Sequence, residues 1–325
     1  MYLCTVKVSI YNHATELPEL LEANYFHSRE LMELCERTPR HRPYMAVVSD
    51  DEGRVVAHML AIERYRHSWF PPYLYRHVRI LGEGQYADER DTTLFALMID
   101  ALTKRLQNRG LYIEVSNLSQ KMFGYAPLRA AGYFPVKWMS IHNSLHSRTP
   151  AERITARQLK RVQHAETRGV ITKEVESDEE FAAFSKLLRH HNWLKPRRYI
   201  PDDRFFLGMM KAGRCKLLLT TYRGKVIGCS ACVYSGSDAY LWFSASRRKS
   251  YAALHPNAVT FWNTIKKAHE DKRDHIRFMD IGLPFRKSLY RDFILSFGGK
   301  EVSTYRWFRI SIRWVNALAS WLWRE

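Results

Sequence analysis

The chain has 325 residues, of which 46% are hydrophobic, so it is too apolar to be disordered and about as long as two domains. No stretch reaches the roughly 18 apolar residues of a membrane-spanning helix, and residues 1–20 are too polar for a signal-peptide core, which favours a cytoplasmic protein. The formal net charge of +18 favours polyanionic partners such as nucleic acid, a phospholipid surface or phosphorylated small molecules; a merely solubilising basic surface is the alternative.

The first half of the chain alternates helical and strand patterns. Apolar side chains recur at helical spacing after Ser28 and again after Asp91, which has the character of an N-cap. Two apolar runs on either side of Gly53 have the pattern of a β-hairpin. The predicted elements are a helix over residues 28–36, a hairpin formed by residues 44–49 and 55–62, a helix from Asp91 to Gly110 and a strand over residues 111–115.

The second half repeats this order. Ser177 and Glu180 form the pattern of a capping box. The predicted elements are a helix after Ser177, a hairpin formed by residues 216–222 and 226–234, a helix from Pro256 to Ala268 and a strand over residues 276–281. The hairpin glycines Gly53 and Gly224 lie about 170 residues apart, so we expect two copies of one unit, with a single larger mixed sheet as the alternative.

We place the boundary between the copies at residues 147 and 148, which gives domains over residues 1–147 and 148–325. A basic helix over residues 154–168 opens the second domain. Because it has few apolar residues, we expect it to bridge the two cores rather than to belong to one of them.

Five cysteines in a chain of this length are neither an even set nor a dense one, so no disulfide framework is expected. Cys229 and Cys232 form a CxxC pattern inside an apolar run that predicts a strand, on which side chains three positions apart face opposite sides. We interpret both as buried small hydrophobic residues, with a metal or redox site as the alternative.

Several segments resemble the Fem-type peptidoglycan aminoacyltransferases and their acetyltransferase relatives. The basic helix over residues 155–170 is similar to the segment that opens the second half of those proteins. Pro256 and Asn257 at the head of a helix, the strand over residues 278–282 and the segment over residues 289–299 resemble the closing signature of the family. The similarity covers nearly the whole chain.

The resemblance implies an α/β (α+β) fold of tandem GNAT-like domains, each a mixed, mostly antiparallel sheet flanked by helices. It also implies an enzyme in which an amine attacks an activated acyl group on a nucleotide-bearing carrier. In Fem-type enzymes the carrier is aminoacyl-tRNA and the acceptor is a peptidoglycan precursor, whereas sister groups use acyl-CoA. This chemistry requires no metal.

One position departs from the Fem-type pattern. Members of that family have Phe-Lys ahead of the final Phe-Gly, and the lysine contacts the acceptor phosphate, but here the pair is Phe293 and Ile294. We therefore expect acyl-CoA as the donor and an amine in cell-wall or envelope metabolism as the acceptor, with aminoacyl-tRNA as the alternative donor. Outside the enzymes, the alternative is a non-catalytic module that holds tRNA or anionic lipid in a basic cleft.

Donor binding is expected at the loop before the helix headed by Asn257. Arg247, Arg248 and Lys249 bring positive charge to that loop, and the free N–H groups and dipole of the helix favour phosphate. A solvated basic loop is the alternative. The corresponding loop of the first half holds Glu83, which would repel phosphate, so we expect the second half to carry the donor.

Asp280 and Tyr290 are the catalytic candidates. Asp280 stands at the end of a predicted strand, before Gly282, where side chains of a GNAT-like sheet would reach the cleft. There it would receive the amine proton or position the acceptor, whereas Tyr290 would donate a proton to the leaving group. A loop-capping role for Asp280 and a packing role for Tyr290 are the alternatives.

The candidates for binding an anionic acceptor are basic and aromatic side chains. They are Arg197, Arg198 and Tyr199, which follow Pro196 in an extended segment, Arg291, and Phe293, which the resemblance adds.

The last stretch of chain places Trp307, Trp314 and Trp321 near one helical face, with arginines nearby. Tryptophan with arginine is typical of an interfacial membrane helix, which would place the protein at the inner membrane face. Residues 307–313 alternate like a strand, however, and only residues 315–323 are predicted to be helical. We expect the tryptophans to pack onto the core, with peripheral membrane contact as the alternative.

Overall fold

The computed structural model describes residues 6–21, 24–68, 73–192, 200–278 and 289–323. Asp280, Arg197, Arg198 and Tyr199 therefore lie outside the described residues. The elements of the first half are β1 (Lys7–Tyr11), α1 (Arg29–Arg37), β2 (His41–Ser49), β3 (Val55–Ser68), β4 (Tyr73–Leu81), β5 (Gln85–Tyr86), α2 (Thr92–Leu106), β6 (Tyr112–Ser116), α3 (Tyr125–Ala130) and β7 (Phe134–Ser144).

The second half begins with two helices and ends with one. Its elements are α4 (Pro150–Arg153), α5 (Ala156–Thr167), β8 (Val170–Glu174), α6 (Asp178–Asn192), α7 (Asp203–Lys211), β9 (Cys215–Tyr222), β10 (Lys225–Ser235), β11 (Asp238–Ser246), α8 (Pro256–Glu270), β12 (His275–Phe278), α9 (Leu289–Leu295), β13 (Lys300–Ile310) and α10 (Arg313–Leu322).

Local capping signals in the sequence are confirmed at two helix starts. The Asp91 carboxylate accepts a hydrogen bond from the N–H of Thr93 at 2.6 Å and caps α2. The Ser177 hydroxyl accepts one from the N–H of Glu180 at 3.3 Å, ahead of the apolar stripe of α6. Both predicted hairpins are confirmed as well, β2 with β3 and β9 with β10.

The chain divides into two compact units, of which the first comprises Met1–Trp138 and Ser303–Glu325. Its strand order is β1-β2-β3-β4-β6-β13, with β4 and β6 parallel. α2 packs against one face, where Phe95 and Met98 join Met59 and Ala61 in the core. His27 is completely buried and accepts a hydrogen bond from the N–H of Leu60 on β3 at 3.1 Å.

The second unit, Met139–Val302, has the strand order β7-β12-β11-β10-β9-β8. Its parallel pair is β11 with β12, and α8 packs on one face beside Leu241, Ile276 and Phe278. β8 to β11, α8 and β12 thus repeat the order of β1 to β4, α2 and β6. The predicted fold class, a mixed and mostly antiparallel sheet flanked by helices in each of two copies, is confirmed.

Each unit takes its last strand from the other half of the sequence. In the first unit β13 pairs with β6, with Trp307 opposite Val115. In the second unit β7 pairs with β12, with Ile141 opposite Phe278. The sequence-based division assigned all of residues 148–325 to one domain, whereas Ser303–Glu325 belongs to the first unit because of this strand pairing.

The basic helix over residues 154–168 has a different role from the one expected. α5 completely buries Val162 and Ala165, which pack in the core of the second unit. A helix with fully buried side chains belongs to that core, so its interpretation as a bridge between cores is corrected.

Cys229 and Cys232 are buried on opposite faces of β10, as predicted. Cys232 packs in the cluster beneath α8, while the Cys229 Sγ lies 4.0 Å from the carbonyl oxygen of Phe184 in α6. Burial raises the pKa of Cys229 to about 12, so its thiol stays protonated and unreactive at neutral pH.

Within the described ranges, no cluster of three or more His, Cys, Asp or Glu side chains could hold a metal ion. In the same part of the chain, no helix combines the length and the hydropathy that crossing a bilayer requires.

Candidate active site

A ladder of hydroxyl groups holds α8 against the sheet of the second unit. Oγ1 of Thr260 lies 2.7 Å from Oγ1 of Thr220 on β9, and Oγ1 of Thr264 lies 2.7 Å from Oγ of Ser230 on β10. Gly228 permits this approach, because a Cβ at that position would lie 2.2 Å from Oγ1 of Thr260. The first turns of α8 are therefore fixed in place.

The start of α8 has no side-chain cap. Its N-cap, His255, adopts a left-handed conformation with φ 43° and ψ 49°, and its side chain makes no capping hydrogen bond to the described backbone. A histidine at positive φ is strained, and such strain concentrates at functional sites. Pro256 has no N–H, and the N–H groups of Ala258 and Val259 donate to the carbonyl oxygen of His255. The helix dipole and the N–H of Asn257, which lies half-buried in the first turn, therefore remain to favour a negatively charged ligand.

The predicted basic triplet precedes this helix start in the chain and is separated from it by residues 250–255, which include a short 3-10 helix (Ala252–Leu254). Arg247 follows β11, and its N–H donates to the carbonyl oxygen of Ile227 at 2.8 Å, which fixes the beginning of the loop. The side chains of Arg247, Arg248 and Lys249 are exposed. The segment between β11 and α8 thus carries three exposed cationic side chains.

Sequence reasoning missed the contribution of α5 to this region. Burial lowers the pKa of His255, and the interactions with the nearby side chains of Arg161 and His164 lower it further. Arg161 and His164 both lie on α5, which packs beside α8. The basic residues of α5 are a signal in the sequence for a role in anion binding. A helix interpreted as a linker between cores, however, is not expected to lie beside a site.

A β-bulge on β11 is a second feature that the sequence did not show. Ala231 lies opposite Phe243 and Cys232 opposite Leu241, so Trp242 is an extra residue on β11. Bulges redirect the backbone groups of the bulged strand and are over-represented beside active sites. Within the described residues, β12 pairs with β11 over Asp238 to Leu241, and Leu241 is the residue before the bulge.

In the first unit, the corresponding loop and helix start carry the carboxylates of Glu83 and Asp91. Glu83, in the loop after β4, accepts a hydrogen bond from the N–H of Ser119 at 3.0 Å and pairs with Arg90 at 2.8 Å. The start of α2 is capped by the Asp91 carboxylate, unlike the start of α8. This contrast favours the second unit as the anion-binding one.

Tyr290 and Arg291 lie at the start of α9. Tyr290 is partly exposed, and its ring meets the ring of Phe261 edge-on at 6.3 Å between centroids. Arg291 forms a two-pronged ion pair with the Glu301 carboxylate through Nε and Nη2. The guanidinium expected to bind an acceptor is thus engaged by an acid of the chain itself.

Phe293 lies on the side of α9 that faces the core. Its ring packs against Phe261 and Phe297, each at 5.1 Å between centroids, and the following Ile294 is completely buried. The described contacts of Phe293 are packing contacts.

The architecture and the sequence agree with known acetyltransferases. Residues 153–287 match the model of the acetyltransferase (GNAT) domain, a segment that contains β9 to β11, the basic loop and α8. No curated protein matches the sequence.

Solved structures match nearly the whole chain at low identity. FemX superimposes with a TM-score of 0.60 at 10% identity, covering 88% of this chain and 96% of FemX. A tandem GNAT protein from the clavulanic acid biosynthesis pathway superimposes with a TM-score of 0.53 at 13% identity, covering 94% of this chain and 99% of that protein. The protein has a tandem GNAT fold. L-PGS from Bacillus licheniformis shares it, with a TM-score of 0.55 at 10% identity, over 90% of this chain and 91% of that one.

The matched domain and the shared fold support an acyltransferase. The sequence-based resemblance to Fem-type proteins is supported at the level of this fold, and the GNAT domain lies in the half of the chain in which donor binding was expected.

Proposed function

We propose that the protein transfers an acyl group from acyl-CoA to an amine, with the donor held by the second unit. The observation that carries this proposal is the coincidence of the matched GNAT segment with the uncapped start of α8 and the basic loop before it. A thioester-bearing nucleotide carries phosphates, which the positive end of a helix and nearby guanidinium groups bind well. The residues present therefore fit the donor.

In this proposal different groups of the chain bind the donor phosphate and polarise the carbonyl of the acyl group. Arg247, Arg248 and Lys249 hold phosphate together with the backbone N–H of Asn257 at the start of α8. Acyl-CoA supplies an activated carbonyl carbon. The bulge at Trp242 offers redirected backbone groups that would polarise the carbonyl oxygen, as an oxyanion hole does.

In this proposal Asp280 and Tyr290 carry out the two proton transfers of the reaction. The amine nitrogen forms the new bond to carbon, and Asp280 takes the proton that the amine loses. The bond between carbon and sulfur breaks, and Tyr290 donates a proton to the sulfur. Tyr290 is partly exposed, as a donor to a bound substrate must be.

The surroundings of Ile294 favour acyl-CoA over aminoacyl-tRNA with a peptidoglycan precursor. The residue is completely buried next to Phe293, where the resemblance would require a lysine that reaches phosphate. A lysine side chain at such a position would place its ammonium group in an apolar core, which is costly. The net charge of +18 keeps the tRNA alternative worth testing, because a polyanion would be attracted to this surface.

Calorimetric titration with acetyl-CoA and with deacylated tRNA, each at low and at physiological salt, tests the donor assignment. A CoA pocket makes few phosphate contacts, so its affinity should fall modestly as salt rises, whereas tRNA held through many phosphates should lose affinity by orders of magnitude. Saturable acetyl-CoA binding with a shallow salt dependence supports the proposal. Micromolar tRNA binding with a steep salt dependence, and no saturable binding of acetyl-CoA, would replace it.

A further inference from the structure

The last helix, α10, carries an exposed apolar face. The exposed fractions are 72% for Trp314, 50% for Leu318, 60% for Trp321 and 63% for Leu322. Their spacing along the helix places all four on one side. The expectation that these tryptophans pack onto the core is wrong for Trp314 and Trp321, and holds only for Trp307, which lies on β13.

The orientation of α10 is fixed by polar contacts on its opposite side. Asn316 accepts a hydrogen bond from the N–H of Ile310 at 2.8 Å and donates one to the carbonyl oxygen of Gly132 at 2.9 Å. Just before the helix, the N–H of Ser311 donates to the carbonyl oxygen of Leu111 at 3.0 Å. A helix on a globular core normally turns its apolar side inward, and α10 does the reverse.

The charge that accompanies this face is positive. The helix contains the exposed Arg313 and no acidic residue. The whole chain has a formal net charge of +18.

We infer that α10 is an interfacial anchor that lies flat in the headgroup region of a membrane containing anionic phospholipids. The helix is about half the roughly 20 residues needed to span a bilayer, so it would lie on the membrane rather than cross it. Exposed tryptophan and leucine enter the boundary between headgroups and acyl chains, and arginine meets lipid phosphate. This complementarity of charge favours an anionic lipid surface over a second copy of an equally basic chain.

The inference is independent of the proposed acyl transfer, and a binding assay without substrate tests it. Purified protein is sedimented with vesicles of phosphatidylcholine alone and with vesicles containing about one third phosphatidylglycerol. The test variant is W314S/L318S/W321S. The matched control is M122S/I171S, which removes two similarly exposed apolar side chains elsewhere.

Wild type and the control variant should partition onto the anionic vesicles at least about tenfold more strongly than the test variant, because membrane affinity scales with buried apolar area. Binding to phosphatidylcholine alone should be much weaker. Equal partitioning of wild type and test variant would assign the binding to net charge and overturn the inference. It would also be overturned if wild type bound no vesicles and light scattering showed a dimer that the test variant lost, since the face would then join two copies. All three proteins should melt alike, because the substituted side chains are exposed.

Discussion

Replacing Arg247, Arg248 and Lys249 together by alanine should weaken donor binding and leave the fold intact. A charge-assisted hydrogen bond contributes about 1.5–3 kcal/mol, and about 1.4 kcal/mol corresponds to a tenfold change in affinity. Loss of one such bond therefore weakens acetyl-CoA binding about tenfold or more, and loss of several weakens it by hundreds-fold. The free energy of unfolding should change by no more than about 0.5 kcal/mol, because the three side chains are exposed.

Calorimetric titration beside a thermal melt measures both quantities. The matched control is R105A/R148A/K211A, which removes three exposed positive charges outside this loop. If the control weakens binding as much as the test variant, bulk charge rather than the loop attracts the donor. If a folded test variant binds acetyl-CoA as wild type does, the triplet is a solvated loop and the phosphates bind elsewhere.

Three further predictions test the packing and the assignment of the units. G228A would place a Cβ 2.2 Å from Oγ1 of Thr260, so urea titration should show a destabilisation of about 1–3 kcal/mol; no change would mean that α8 is not held so close. E83A removes the partner of Arg90, so it should destabilise the protein by about 1–3 kcal/mol while acetyl-CoA affinity stays unchanged; a lost affinity would move the donor to the first unit. Burial lowers the pKa of His27 to about 3 and of His58 to about 4 from an ordinary value of 6.5, so the unfolded chain takes up protons first as the pH falls. Stability should then drop between pH 6.5 and pH 4, by on the order of 2–3 kcal/mol for each histidine, and a urea midpoint that stays constant over this range would contradict their burial.

The features that could be predicted from the sequence are those set by contacts between residues close together in the chain. Asp91 and Ser177 cap their helices because a capping side chain needs only N–H groups two or three positions away. The hairpins followed from apolar runs that flank glycine turns, and the repeat of these elements indicated two copies. The loop before α8 could be predicted as a donor site because its basic residues and the start of the helix are close together in the sequence.

Features that depend on long-range contacts escaped prediction. The pairing of β13 with β6 joins residues far apart in the chain, and no local pattern states which partner a strand will choose. The bulge at Trp242 is defined only by the register of β11 against β10. The tryptophan spacing predicted a helix, but which side of α10 faces the protein depends on Asn316 and its partners.

Hydrogen–deuterium exchange with and without saturating acetyl-CoA tests the central claim most directly, because it locates the donor on the chain. We predict slower exchange of the amides over residues 247–259, which cover the basic loop and the first turn of α8, and unchanged exchange over residues 82–95 of the first unit. Protection confined to residues 82–95, or no protection anywhere at saturating acetyl-CoA, would contradict the assignment of the second unit as the site of an acyl-CoA donor.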